Sequence, residues 1–282
     1  MHNKITIIGF GLIGSSLARN IRKYDLAKEI IVVDRDKNIC QRALDLALAD
    51  YAMIDIRKGV EASDLVILAV PVGACGRIAE QMRYSLKEGA IVTDVGSVKG
   101  AVINAVSPHI PACVHFIPAH PVVGTEYSGS EFGFTELFQG RWCIVTPLPE
   151  TDIRALEKVT SLWESCGAMI EIMEVERHDL ILAITSHLPH LLAYTIVGTA
   201  YDLEKDTRDD VIRFSASGFH DFTRIAASDP VIWRDIFLNN KYAVLEILKR
   251  YYADLEKVKK AIMDDDGDYL EAFFTRARKI RK

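Results

Sequence analysis

The chain begins with a short apolar run, residues 4–9, that stops at Gly9-Phe10-Gly11-Leu12-Ile13-Gly14. No other feature limits the fold as tightly. Between a strand and a helix, each glycine meets a separate need. Gly9 permits the tight turn, Gly11 lets the backbone approach a pyrophosphate, and Gly14 packs helix on strand. The helix that follows carries Leu17, Ala18 and Ile21 on one face. Its first N–H groups, around Leu12 and Ile13, are free to receive phosphate. A start of this kind calls for more strands alternating with helices.

The alternation continues. Residues 30–34, 65–70, 90–94, 114–118 and 141–146 read as further strands separated by helical spans. That pattern predicts an α/β fold with right-handed crossovers, a Rossmann-type doubly wound parallel sheet. Residues 153–166 read as one more helix and 168–173 as a last strand. From Glu174 onward only helical patterns follow, so the expected division is a nucleotide-binding domain, 1–173, and an all-α domain, 174–282. Residues 228–263 read as one helix that opens at Pro230 and ends at Asp264-Asp265-Asp266-Gly267. About 33 helical residues extend roughly 50 Å, more than an isolated domain of ~110 residues usually spans. The helical domain is therefore expected to join two copies in a homodimer.

Bulk properties exclude several classes. Apolar content of 49% and charged content of 26% are those of a soluble globular chain. A net charge of −5 argues against a general nucleic-acid binder. The basic cluster Arg276, Arg278, Lys279, Arg281 and Lys282 reads as a solvated helix face. No uninterrupted apolar run reaches the ~18 residues of a membrane span, and a strand by residue 4 leaves no room for a signal peptide. Five cysteines without metal-like spacing suggest reduced thiols and a cytoplasmic setting.

Loops after the strands of such a sheet converge on one cleft. Asp34 closes the second strand, where a carboxylate can bond both ribose hydroxyls and repel a 2′-phosphate. NAD is thus expected over NADP, with Arg35 and Arg42 as the residues that would favour NADP. Val70 ends the third strand and Pro71 follows it, and both are expected to bind the coenzyme. Ser97 follows the fourth; it can bond a histidine or a substrate hydroxyl, or cap a helix. His120, followed by Pro121, comes after the fifth. Histidine alone has an unperturbed pKa that lets it take a proton near neutrality, as oxidation of an alcohol by NAD requires. The helical half offers Ser186-His187-Leu188-Pro189-His190, in which Pro189 should break or kink the helix. Its two histidines share a face; they suit a ligand, interface packing or a metal, although no third metal ligand stands out. Arg224 can hold a carboxylate in bidentate fashion or pair with Asp221 or Asp229.

In this order, G-F-G-L-I-G-S-S, D-V-G-S-V-K, A-H-P-V-V-G-T-E-Y-S-G, T-S-H-L-P-H and S-G-F-H-D-F-T-R-I-A resemble the prephenate and arogenate dehydrogenases. The resemblance spans nearly the whole chain, from Lys4 to about residue 260. It implies NAD-dependent oxidative decarboxylation in tyrosine synthesis, with a cyclohexadienol as the small-molecule substrate and no metal. By resemblance His120 accepts the C4 hydroxyl proton, Ser97 supports that contact and Arg224 holds the ring carboxylate. Ser186, His187, His190 and His178 line the pocket, while Thr125, Glu126 and Gly218 lie near the substrate side chain. Trp233 matches a residue that reaches the partner subunit's site. No fused mutase segment is expected before Lys4, and no regulatory domain after residue 263. Two rivals remain: a β-hydroxyacid dehydrogenase and a non-catalytic NAD sensor. The first typically carries a lysine on its helical domain, and residues 174–204 contain none.

Overall fold

The computed structural model describes residues 2–124, 129–203, 213 and 217–281. Six strands form the main sheet: β1 (His2–Ile8), β2 (Ala27–Val33), β3 (Tyr51–Met53), β4 (Leu65–Leu68), β5 (Ile91–Asp94) and β6 (His115–Ile117). They run parallel in the order β3-β2-β1-β4-β5-β6. The order reverses between β1 and β4, the crevice where such sheets bind nucleotides. Because both faces are covered, β4 is apolar and buried at every position. On one face, Ile5 and Ile7 pack with Leu17 and Ile21 of α1 (Leu12–Lys23), Phe138 and Trp163. On the other, Ile8, Val66 and Leu68 pack with α4 (Cys75–Met82) and α5 (Lys99–Val106). Of the remaining helices of this half, α2 (Lys37–Asp45) and α6 (Ile153–Ser165) pack on the first face and α3 (Ile56–Val60) on the second.

Three strands depart from the sequence reading. Ala119–Pro121, read as a loop, is a strand, β7, antiparallel to β8 (Trp142–Val145). β8 in turn pairs parallel with β9 (Met169–Ile172), so residues 141–146 belong to a separate three-stranded sheet and not to the main one. Three residues ending in proline give no strand signal, because proline cannot extend a ladder. β3 is equally short and was also missed.

The helical part contains α7 (Val175–Leu182), a π-helical turn (Ala183–His187), α8 (Leu188–Tyr201), α9 (Ser217–Thr223), α10 (Pro230–Asn239), α11 (Lys241–Met263) and α12 (Gly267–Arg281). Pro189 does not break the helix as expected. The π turn lies immediately before it and absorbs the missing backbone donor, and the helix resumes. Residues 175–201 thus form one helical run of 27 residues that is long and apolar enough to cross a membrane by length and composition. This corrects the sequence expectation, which counted only uninterrupted apolar residues. The run carries His178, Asp179, His187 and His190, and its apolar side chains Leu180, Ile184, Ile196 and Val197 are exposed. The expected single helix over 228–263 is two helices. The backbone leaves helical geometry at Asn240, with φ −102° and ψ 31°.

Candidate active site

The glycine turn fits a dinucleotide on steric grounds. Gly9 has φ +94°, and a Cβ there would stand 2.3 Å from the Ala69 carbonyl oxygen and against Val70. A Cβ on Gly14 would meet the Gly9 carbonyl at 2.1 Å, while one on Gly11 would meet nothing within 4 Å. The backbone at Gly11 is therefore open to a ligand. No side chain caps α1 and no acid stands in its first turn, so the N–H groups at Leu12 and Ile13 await acceptors. Val70 lies beside this turn, and the next residue, Pro71, is exposed. Asp34 is half-buried; it accepts the Phe10 N–H at 2.9 Å and the Asp36 N–H at 3.0 Å. These bonds hold the carboxylate at the mouth of the turn, with lone pairs left over. Arg35 beside it is exposed.

Behind β7 lies a buried ion pair that the sequence did not suggest. Lys99 and Asp94 are both fully buried and bonded to each other. Lys99 Nζ also donates to the Ala119 carbonyl at 2.7 Å, and Asp94 accepts the N–H groups of Gly96 (2.8 Å) and Ala119 (3.3 Å). The pair thus grips both polar groups of the residue before His120.

His120 Nδ1 lies 2.9 Å from His178 Nε2, and His178 Nδ1 lies 2.8 Å from Asp179 Oδ1. The protons in this chain follow from the acceptor at its end. A carboxylate only accepts, so His178 Nδ1 carries hydrogen. Burial holds the His178 ring below the usual histidine range even though Asp179 opposes this, so His178 is neutral and its Nε2 accepts. His120 Nδ1 must then donate, which leaves the lone pair on His120 Nε2. Burial, and after it His178, Lys99 and His187, hold His120 well below the ordinary histidine pKa. Burial opposes ionisation of Asp179, but bonds from His178 and from the Gly100 and Lys99 N–H groups keep it below the usual carboxylate range. Those two N–H bonds, 2.9 and 2.8 Å, cap α5 from across the molecule. Asp179, unremarked in the sequence, therefore supports both His120 and the loop bearing Ser97. It also displaces Ser97 as helix cap, since the capping position is Val98 and no side chain of the loop itself caps the helix. Ser97 is half-buried and makes no bond to His120.

His178, expected in the pocket lining, is fully buried behind His120. His187 is also fully buried, and His190 is half-buried. Both contact Trp233, His190 by stacking at 3.5 Å between centroids and His187 edge-on at 6.2 Å. Trp233 thus lies against two histidines of its own chain. Neighbouring α10 packs against the loop after β4, where the Asp235 carboxylate lies 3.2 Å from the position of a Gly73 Cβ. His190 Nδ1 donates to the Ser186 carbonyl at 2.9 Å. Burial lowers the His190 pKa, the Ser186 carbonyl opposes this, and the Arg224 charge lowers it further. Arg224 and Gly218 are exposed. Thr125 and Glu126 lie outside the described residues.

Known proteins resemble this chain in both sequence and fold. Residues 17–172 match the model of the prephenate dehydrogenase nucleotide-binding domain, and residues 174–276 that of the prephenate dehydrogenase dimerization domain. The cyclohexadienyl dehydrogenase of Zymomonas mobilis is 42% identical over 98% of this chain and 94% of its own. The prephenate dehydrogenase of Aquifex aeolicus, solved with hydroxyphenyl propionate and NAD+, superposes with a TM-score of 0.92 at 33% identity, covering 99% of this chain and 97% of its own. The arogenate dehydrogenase of Synechocystis gives a TM-score of 0.84 at 27% identity, covering 99% and 98%. Similarity of this extent, in sequence and in fold, means that the chain belongs to the prephenate dehydrogenase family.

Proposed function

We propose that this protein is a cyclohexadienyl dehydrogenase that oxidatively decarboxylates prephenate and arogenate, yielding 4-hydroxyphenylpyruvate and tyrosine. The hydrogen-bond chain Asp179–His178–His120 carries this reading, because it presents a buried imidazole with its lone pair on Nε2. The coenzyme is NAD, which when bound takes hydride from ring C4 as the ring carboxylate departs as CO2. His120 Nε2 accepts the C4 hydroxyl proton, and the proton held on Nδ1 is stabilised through His178 by the Asp179 charge. Ser97 steadies the same hydroxyl. Arg224 holds the ring carboxylate; Ser186, His187 and His190 bound the ring, and Trp233 closes it. Thr125, Glu126 and Gly218 face the substrate side chain. Aromatisation drives the loss of CO2, so the site needs to position the ring and remove one proton. The name carried by the relative at 42% identity supports acceptance of both substrates. The test is appearance of NADH with prephenate and with arogenate; absence of NADH with both overturns the reading and leaves the hydroxyacid dehydrogenase and sensor readings.

Asp34 sets the coenzyme preference. A carboxylate bonded to the glycine turn attracts ribose hydroxyls and repels a 2′-phosphate. NAD should exceed NADP by roughly tenfold or more in kcat/KM, about 1.4 kcal/mol. Equal values would show that Arg35 or Arg42 overrides it.

The working form is a homodimer through the helical domain, consistent with a cytoplasmic enzyme whose five cysteines are free. The buried core of that domain is small, with Ala183, Leu188, Val244 and Ile247 at its centre. Meanwhile Leu238, Tyr242, Leu245 and Tyr252 are exposed, more apolar surface than a monomer usually leaves in water. Light scattering should give twice 31.5 kDa; the single-chain mass at micromolar concentration rejects the dimer.

A further inference from the structure

Asn240 stands where the sequence suggested an unbroken helix. The break between α10 and α11 turns its side chain inward, and the residue is 5% exposed. Its amide nitrogen lies 2.9 Å from the Asp179 carbonyl and 3.1 Å from His187 Nδ1. The carbonyl can only accept, so the amide group facing it is NH₂ and its orientation is settled. The second N–H of that group then points at His187 Nδ1, which must be the acceptor. The ring proton of His187 therefore sits on Nε2. Nε2 is buried and has no hydrogen-bond partner. A buried donor left unpaired costs free energy, and such a group in a native site calls for a ligand. His190, three residues on, has the opposite arrangement, with its proton on Nδ1 toward the Ser186 carbonyl. The two rings beside Trp233 are thus one donor and one acceptor.

We infer that Asn240 is a positioning residue that locks His187 as a neutral Nε2–H donor, and that this donor binds an oxygen acceptor of the substrate. The proposal rests on the dehydrogenase reading above for the identity of the substrate, but not for the proton position. Two acceptors fit the chemistry: the side-chain carboxylate common to prephenate and arogenate, and the keto oxygen that prephenate alone carries.

The test joins a spectroscopic and a kinetic measurement. Long-range ¹H–¹⁵N spectra of ¹⁵N-histidine-labelled protein, with the His187 signals identified by their loss in His187→Gln, report which ring nitrogen bears hydrogen. Spectra and rates are recorded at about pH 9, above the usual histidine pKa of ~6.5. The wild type should carry the proton on Nε2. In Asn240→Asp the carboxylate can only accept, so the proton should move to Nδ1. KM should then rise roughly tenfold to a hundredfold, the loss of a hydrogen bond to a charged or strongly polar group. In the same variant kcat and the KM for NAD should stay within a few-fold. A rise for prephenate alone identifies the keto oxygen as the acceptor; a rise for both substrates identifies the carboxylate. A wild-type proton on Nδ1 overturns the proposal, whether or not the variant folds. So does a variant whose proton has moved while KM is unchanged. If the wild type turns over neither substrate, the dehydrogenase reading fails, and the spectrum still decides the role of Asn240.

Discussion

His120→Asn should lower kcat by ~10²–10⁴ while KM stays within a few-fold, the usual cost of losing a general base. Asparagine keeps a polar side chain of similar reach, so the substrate still binds. It has no basic nitrogen, so nothing takes the hydroxyl proton. The pH profile sharpens the test. A base works when deprotonated, and burial holds His120 well below the ordinary histidine pKa. The ring therefore stays competent as pH falls through ~6.5, and the acid limb of wild-type kcat/KM lies below that value. A reading from sequence alone would place the limb at the reference pKa. His120→Asn should lose this limb. Retention of wild-type kcat with the same limb would pass the role to His190, whose Nδ1 donates to the Ser186 carbonyl and whose Nε2 is therefore an acceptor.

Lys99→Met should produce the largest loss of stability. Lys99 and Asp94 are wholly buried, and removing one partner leaves the other charge without its counterion. Breaking such a pair costs ~3–5 kcal/mol, or roughly 6–20 °C in Tm for a domain of this size. The loss reaches the site, because Lys99 holds the carbonyl and Asp94 the N–H of Ala119, the residue before His120. Removing both charges in Asp94→Leu/Lys99→Met should restore stability only in part, since Gly96 and Ala119 would lose their acceptor. A single variant within 1 kcal/mol of wild type, by denaturant unfolding, would show that the pair contributes little.

These residues show how far a sequence can be read here. The glycine turn, Asp34 and His120 were legible because their requirements are local: a positive φ at Gly9, a strand end, a strand followed by proline. Lys99 was quoted within a motif but read as nothing more, since burial of a lysine depends on which carboxylate meets it in space. Asp179 sits in the middle of a helical pattern and gives no local sign of its role. Its work is done eighty positions away, at the N–H of Lys99. Asn240 was hidden by apolar periodicity that runs across the break in the helix. The strand register of β7 was hidden because three residues carry too little alternation. In each case the missing information was a tertiary contact.

The account rests most heavily on coupled removal of hydride and carboxylate from a cyclohexadienol at the site around His120. It is tested most directly by following NADH and CO2 together in one reaction with prephenate and NAD. One NADH and one CO2 should appear for each prephenate consumed, and both rates should fall together in His120→Asn. Consumption of prephenate without NADH, or NADH formation without CO2, would contradict it.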